Sequence, residues 1–309
     1  MRYISHSDIT NLDIDPAICV DWVKEAFLIK EHCQLPPKIS LHPRGNDFIN
    51  TMPCLLPEEY NIFGCKVVTR VKGQHPALNS ELMLFNPSTG KMTALVNCDW
   101  ITARRTGAVA ALAINTLRSS QAAIYSFIGL GAMAHATLDC FLATNREQSI
   151  VIRLKRYKDQ AERTIERYRE VTNVKFVISD TMEELVTGAD VVVSCITDAD
   201  GLLVEDRALF KPGVLVVPVH TRGFQNCDTA FDKVYADDEA HVKGFKYFSQ
   251  FRKFGEIADI LSGKDPGRES DHERILSYNI GLGLHDVYFA YKIKRLMSQG
   301  ITPPLLNLD

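Results

Sequence analysis

Two kinds of apolar pattern alternate along the chain: short continuous or alternating runs, and longer stretches with apolar residues at helical spacing. In the second half the runs Ile124–Ile128, Ser149–Leu154, Lys175–Ile178, Asp190–Cys195, Val214–Val219 and Val234–Ala236 predict strands. Asp190–Cys195 and Val214–Val219 are continuously apolar, as central parallel strands are. Between the runs, a helix through Thr144, a charged helix over Lys158–Val171 and a short helix opened by the capping box Thr181-Met182-Glu183-Glu184 are expected. Strands alternating with helices predict an α/β unit with a doubly wound parallel sheet. Residues 1–118 read differently. A helix over Ala17–Glu31, capped by Asp15-Pro16, precedes the strand-like segments Lys38–Leu41, Asp47–Met52, Phe63–Arg70, Glu81–Asn86 and Met92–Asn97. Pro87-Ser88-Thr89-Gly90 joins the last two as a hairpin. A long Ala-rich helix, Asp99–Leu117, closes this part, and a tail helix, Asp286–Ser298, is expected to return to it. The expected organisation is therefore a discontinuous mixed α/β domain, 1–118 with 278–309, and a second domain, 119–277.

The stretch AAIYSFIGLGAMA, Ala122–Ala134, organises the second domain. It sets Gly129, Gly131 and Ala134 in a G-x-G-x-x-A pattern between a strand and a helix, the placement of a dinucleotide site in a Rossmann-type sheet. The first glycine permits the turn, the second lets backbone N–H groups approach a pyrophosphate, and the small third residue lets the helix pack on the sheet. Phosphates then sit at a helix N-terminus, contacting Gly129, Gly131, Ala132 and Met133. The bland alternative is a plain strand–helix turn.

Composition narrows the class. The chain has 309 residues, 46% hydrophobic and 24% charged, enough for two domains with real cores. A net charge of -3 argues against a general nucleic-acid binder. No apolar run reaches the roughly 18 residues that span a bilayer, and the N-terminus has no apolar signal core. The eight cysteines show no C-x-x-C and the nine histidines no H-x-x-x-H, which predicts reduced thiols, no metal and a cytoplasmic protein.

Five segments together resemble the ornithine cyclodeaminase/mu-crystallin family over nearly the whole chain. They are FGCKVV (Phe63–Val68), LVNCDWITARRTGA (Leu95–Ala108), the Ile128–Ala134 loop, GKDPGR (Gly263–Arg268) and IGLGLHD (Ile280–Asp286). The resemblance implies NAD(P)-dependent chemistry on small amino or imino acids. It also implies a homodimer joined through the first domain, which then serves substrate binding and dimerisation. The Ala-rich stretch Ala103–Ala113 and the short strands before it are the expected dimer surface.

The resemblance also assigns residues. Arg105 matches the family's carboxylate-binding arginine; a guanidinium fork meets a carboxylate with two parallel hydrogen bonds. Its bland reading is a helix-surface charge, as Arg104 beside it illustrates. Lys66, in an apolar strand where a charge needs a partner, matches the substrate lysine. Lys38 falls where many members have an arginine that helps hold the carboxylate. Many members place an aspartate where this chain has Arg222, in Val219-His220-Thr221-Arg222-Gly223. Arginine is no general acid near neutral pH, so a cyclodeaminase reaction is put in doubt. His220, His75 and Asp228 are the candidate replacements, and Arg222 is a candidate anion binder. The second strand ends Arg153-Leu154-Lys155-Arg156-Tyr157-Lys158, with bases where an NAD site has an acid. This favours NADP over NAD, through Arg156 and Lys158, with Thr197 also among the cofactor contacts. The bland reading is solvated charge opening the next helix.

The first functional reading is an NADP-dependent oxidoreductase of the imine reductase or amino-acid dehydrogenase type, passing a hydride to or from the substrate Cα. Its alternatives are a cyclodeaminase-like lyase with tightly bound NAD, and a nucleotide-binding member without catalysis.

Overall fold

A computed structural model describes residues 1–299 apart from 198, 200, 221, 222 and 225–227. In chain order its elements are β1 (Arg2–Ile4), α1 (His6–Thr10), α2 (Pro16–Leu28), β2 (Ile39–Leu41), β3 (Phe48–Leu55), β4 (Phe63–Arg70), β5 (Leu78–Asn86), β6 (Lys91–Asn97) and α3 (Asp99–Leu117). They continue with β7 (Ile124–Ile128), α4 (Ala132–Ala143), β8 (Ile150–Lys155), α5 (Gln160–Arg167), β9 (Val174–Ser179), α6 (Met182–Val186), β10 (Val191–Ser194) and β11 (Leu215–Pro218). The last are β12 (Lys233–Ala236), α7 (Glu239–Val242), β13 (Phe254–Glu256), α8 (Ile257–Leu261), β14 (Ile275–Tyr278) and α9 (Gly283–Gln299).

The chain forms two compact units, Met1–Arg105 with the chain from Gly281 on, and Thr106–Ile280. The division falls inside α3, after Arg105, and not at its end as the sequence suggests. At Gly107, just past the division, a Cβ would stand 2.3 Å from the Ala136 backbone, so α3 and α4 approach closely there.

The first unit is a six-stranded sheet in the order β1-β6-β5-β4-β3-β2, with β1 parallel to β6 and the other pairs antiparallel. Strand alternation decides its two faces. Gly64, Lys66 and Val68 of β4, Ser80, Leu82 and Leu84 of β5, and Ala94 and Val96 of β6 are buried. Helix α9 lies over β3 and β4, and α2 packs on α9 through Trp22 edge-on to Phe289, 5.2 Å between centroids. Two glycines set how close α9 comes: a Cβ on Gly64 would stand 2.6 Å from Val287, and one on Gly283 2.8 Å from the Met52 carbonyl oxygen. The opposite face carries Phe63, Cys65 and Val67, Met83 and Phe85, and Leu95, all half-buried. They meet across the strands as Phe63–Phe85, Cys65–Met83 and Met83–Leu95.

The second unit is an all-parallel eight-stranded sheet in the order β13-β12-β14-β11-β10-β7-β8-β9. The order reverses between β7 and β10, the crevice where open α/β sheets bind ligands beyond their carboxyl ends. Asp190 ties the other end of these strands by accepting from the N–H groups of Ala123 and Ile124 at 2.9 and 2.8 Å. Arg268 of the GKDPGR segment is a structural clamp. Its guanidinium donates to the carbonyls of Leu117, Gly213, Ser270 and Glu273, joining the end of α3 to two loops.

Candidate active site

In the second unit, β7 runs into Gly129 at φ +77, a left-handed conformation that only glycine adopts freely. A Cβ on Gly129 would stand 2.9 Å from the backbone of Cys195 and Ile196, so the ends of β7 and β10 meet here. Gly131 is the opposite case: a Cβ there would meet nothing within 4 Å. It caps α4 without a side-chain hydrogen bond, and the first intrahelical bond runs from His135 N to Gly131 O. The N–H groups of Ala132, Met133 and Ala134 precede that bond and have no intrahelical partner. Exposed Gly131 and Ala132 thus line an open cradle at the switch point, at the positive end of a helix, which fits a dinucleotide pyrophosphate. Ala134 is fully buried, as close packing of the helix requires. Thr197 is exposed two residues beyond Cys195, at the same rim.

The basic cluster after β8 has partners. Arg156 Nε donates to Asp180 Oδ1 at 2.5 Å, and its Nη1 pairs with Glu162. Lys155 Nζ donates to the carbonyls of Arg156 and Asp180 at 3.3 and 2.9 Å. Lys158 is exposed, at φ +51, with its ammonium 5.5 Å from the Tyr157 ring centroid. The end of β8 is thus basic with a carboxylate, Asp180, supplied from beyond β9.

The first unit holds a buried charge cluster. Lys66 Nζ lies 2.7 Å from Asp286 Oδ2, and Arg105 Nε donates to Asp286 Oδ1 at 3.0 Å. Lys66 and Asp286 are fully buried, and Arg105 is 5% exposed. The geometry follows from the elements. Lys66 is two residues beyond Gly64 on the same face of β4, and Asp286 precedes Val287, the residue over Gly64. Gly281, at φ +96, gives Arg105 its room; a Cβ there would stand 2.1 Å from Nη1. Burial, and then the Arg105 charge, pull the Lys66 ammonium below the usual lysine range, against the opposing pull of Asp286 and the Cys98 thiol. A second line of contacts leaves Lys66. Its Nζ lies 3.4 Å from Thr102 Oγ1, which is 3.0 Å from Ser80 Oγ, which donates to Asp99 Oδ1 at 3.0 Å.

Lys66 and Arg105 are therefore brought together, as expected, but by a residue that was not singled out for the site. Asp286 was only the last position of the closing segment. The available signal was an aspartate directly before the apolar run Val287–Tyr291, a costly choice unless it meets cations. Both cations already neutralise this carboxylate, so neither is a freely exposed anchor. Lys38 is half-buried just ahead of the edge strand β2, with β3 between it and β4.

The candidate proton donors are scattered. His220 Nε2 stands 2.7 Å from Ser194 Oγ and joins the ends of β11 and β10. His75 is exposed in the β4–β5 loop. Asp228 is 1% exposed, and burial pushes its carboxyl up to about 6, with the Tyr278 hydroxyl 3.4 Å from Oδ2. Arg222 lies outside the described residues. Among the described residues no helix is long and apolar enough to cross a membrane, and no three metal-ligating side chains converge.

The chain belongs to the ornithine cyclodeaminase/mu-crystallin family, whose model matches residues 6–300. It is similar to nodulation efficiency protein NfeD of Rhizobium meliloti, 27% identical, covering 93% of this chain and 92% of that protein. It is also similar to the N-((2S)-2-amino-2-carboxyethyl)-L-glutamate dehydrogenase of Staphylococcus aureus, 24% identical over 100% of this chain and 98% of the relative. Among solved structures, the Thermococcus litoralis Δ1-pyrroline-2-carboxylate reductase in complex with NADH and L-proline superposes with a TM-score of 0.84. It is 21% identical and covers 99% of this chain and 100% of that one.

Proposed function

We propose that this member of the family is an NAD(P)H-dependent oxidoreductase acting on a small amino or imino acid. The observation that carries the reading is a buried arginine, Arg105, fixed through its Nε by Asp286, in a chain that also has an open glycine cradle at a switch point. When bound, the nicotinamide supplies or accepts the hydride at the substrate Cα. The protein's own part is to bind, orient and manage one proton. Arg105 spends one edge on Asp286 and turns its terminal nitrogens to the substrate carboxylate; a guanidinium has five N–H donors. An ammonium has three; Lys66 gives one to Thr102 and is held in an ion pair by Asp286, which leaves a donor to face the substrate nitrogen. This assigns the acid that the position of Arg222 lacks. His220 then acts as a structural tie. Gly129, Gly131, Ala132, Met133 and Thr197 hold the dinucleotide, and Arg156 with Lys158 favours the 2′-phosphate of NADP, Arg156 exchanging Asp180 for it.

We further infer a homodimer and a cytoplasmic location. The dimer surface is the half-buried apolar face of Phe63, Cys65, Val67, Met83, Phe85 and Leu95, not the Ala-rich helix. Ala108, Ala110, Ala111 and Ala113 are fully buried within one chain.

The test is a spectrophotometric screen of keto acids with amines, cyclic imino acids and amino acids against NADPH, NADP, NADH and NAD. Stoichiometric cofactor turnover with one of these substrates is expected. Ammonia release without net turnover supports the cyclodeaminase reading instead, and nucleotide binding with neither outcome a protein without catalysis.

A further inference from the structure

Lys66 is fully buried in this state, so here its ammonium exchanges protons with water only through its neighbours. A line of contacts leads from its ammonium toward a solvent-touching acid, through two hydroxyls to Asp99, a half-buried carboxylate at the start of α3. We propose that Thr102, Ser80 and Asp99 form a proton wire that reloads Lys66 between turnovers, with Asp99 as its solvent end. The proposal rests on the reading of Lys66 as proton donor to an imino substrate.

The contacts have the order a wire needs. At rest Ser80 Oγ donates to Asp99 Oδ1, Thr102 Oγ1 accepts from Lys66, and the Thr102 hydroxyl has both Ser80 Oγ at 3.0 Å and the Cys98 sulfur at 4.0 Å within reach. Asp99 is held in register by a second bond, from Ser80 N to the same oxygen at 2.6 Å. The charged and titratable groups facing Lys66 are Asp286 on α9, Arg105 on α3 and Cys98 ahead of α3. Asp286 and Arg105 are buried and paired with each other, and the Cys98 thiol is pushed up to about 12, which makes it a poor shuttle.

The step balances. In the reductive direction the C=N π pair moves to nitrogen, which takes a proton from the Lys66 ammonium, and the hydride at carbon is what a bound reduced nicotinamide would supply. Lys66 is left as a neutral amine. With Lys66 neutral and a proton arrived from water on Asp99, the two hydroxyls turn to donate toward Lys66: Asp99 gives its proton to Ser80 Oγ, Ser80 gives its own to Thr102, and Thr102 gives its own to Nζ. Each hydroxyl gains one proton and loses one, and the ammonium is restored. Asp99, Ser80 and Thr102 are positioning residues here, since none of them touches the reacting atoms.

A structural role alone, tying α3 to β5, predicts a different result from a wire in the following experiment. Protein labelled with 15N-lysine is studied without substrate, with the Lys66 Nζ signal identified by its loss in Lys66→Met. The solvent exchange rate of the Nζ protons is compared in the parent, Thr102→Val, Thr102→Ser and Ser80→Ala. A wire predicts exchange slowed at least about tenfold in Thr102→Val and Ser80→Ala, equivalent to a barrier about 1.4 kcal/mol higher, and near-parent exchange in Thr102→Ser. Should Thr102→Val fail to fold, Ser80→Ala carries the comparison, because the Ser80 backbone bond to Asp99 survives it. Parent-like exchange in the valine or alanine variant overturns the wire. This readout needs no turnover, so it stands apart from the reaction itself. Once a substrate is found, the same two variants should lower kcat with KM unchanged and raise the solvent deuterium isotope effect. A parent that never turns over refutes the reaction, and unchanged kcat and isotope effect in the variants refute the wire.

Discussion

Lys66 Nζ lies 2.7 Å from Asp286 Oδ2, with both side chains fully buried, and the other oxygen of that carboxylate holds Arg105. The cluster sets two cations on one carboxylate in a low-dielectric interior, and removing the carboxylate strands both of them. Asp286→Asn keeps the shape and removes the charge, leaving two uncompensated cations. It should cost about 3–5 kcal/mol of stability, read from urea unfolding at neutral pH. A loss below about 1 kcal/mol, the scale of an exposed pair, would show that water reaches the cluster.

Arg105→Ala should lower kcat/KM by about tenfold to a hundredfold, since a charge-assisted hydrogen bond to a carboxylate contributes roughly 1.5–3 kcal/mol. Arg105→Lys should rescue little, because a point charge cannot meet Asp286 and a substrate carboxylate together. NADPH affinity by fluorescence titration should stay within a factor of about two to three in both variants. Full kcat/KM in the alanine variant, or loss of the cofactor instead of the substrate, would make Arg105 only a partner of Asp286.

Arg156→Asp adds a carboxylate beside Asp180 and Glu162, both of which now pair with Arg156. NADPH affinity should fall by at least about tenfold, with NADH affected much less, as loss of a charge-assisted phosphate contact requires. Titration of both cofactors against both proteins reads this directly. An unchanged preference would mean that Arg156 serves only its two carboxylates.

Met83→Glu places a charge at the centre of the half-buried sheet face, between Cys65 and Leu95. Burying an unpaired carboxylate in an apolar interface is costly, so light scattering at micromolar concentration should give a dimer for the parent and a monomer for the variant. A variant that keeps the parent mass would place the interface elsewhere, as would a monomeric parent.

Asp228 has its carboxyl raised from 3.8 to about 6 by burial. Between those values the folded state binds more protons than the unfolded one, so this group's contribution to stability falls as pH rises through the interval. Relative to Asp228→Asn, the parent should therefore lose stability between pH 3.8 and about 6 and run parallel to the variant above that. Unfolding curves of both proteins across this range test the sign. A difference that stays flat would mean the carboxyl titrates normally.

Local chemistry made much of this protein legible. Period-2 and period-3.6 patterns placed most of the strands and helices because they record which side of one element is buried. Gly129 and Gly131 announced a nucleotide-type turn because backbone conformation and close approach are properties of single residues. Two short pieces escaped, β1 and β14, which are defined by pairing with distant strands: β1 with β6, and β14 with β11 and β12. The GKDPGR segment marked the family, but the chain gave no hint that Arg268 spends its guanidinium on four backbone carbonyls. Tertiary structure alone decided the cluster around Asp286. Arg105 and Asp286 are 181 residues apart in sequence. They meet because α9 returns to lie over β4 where Gly64 and Gly283 leave room. Lys66 could be read from its apolar strand as a cation needing a partner, since burying a charge is costly, and Arg105 only from the family resemblance. Which partner meets that cost depends on long-range packing, and no local pattern encodes it.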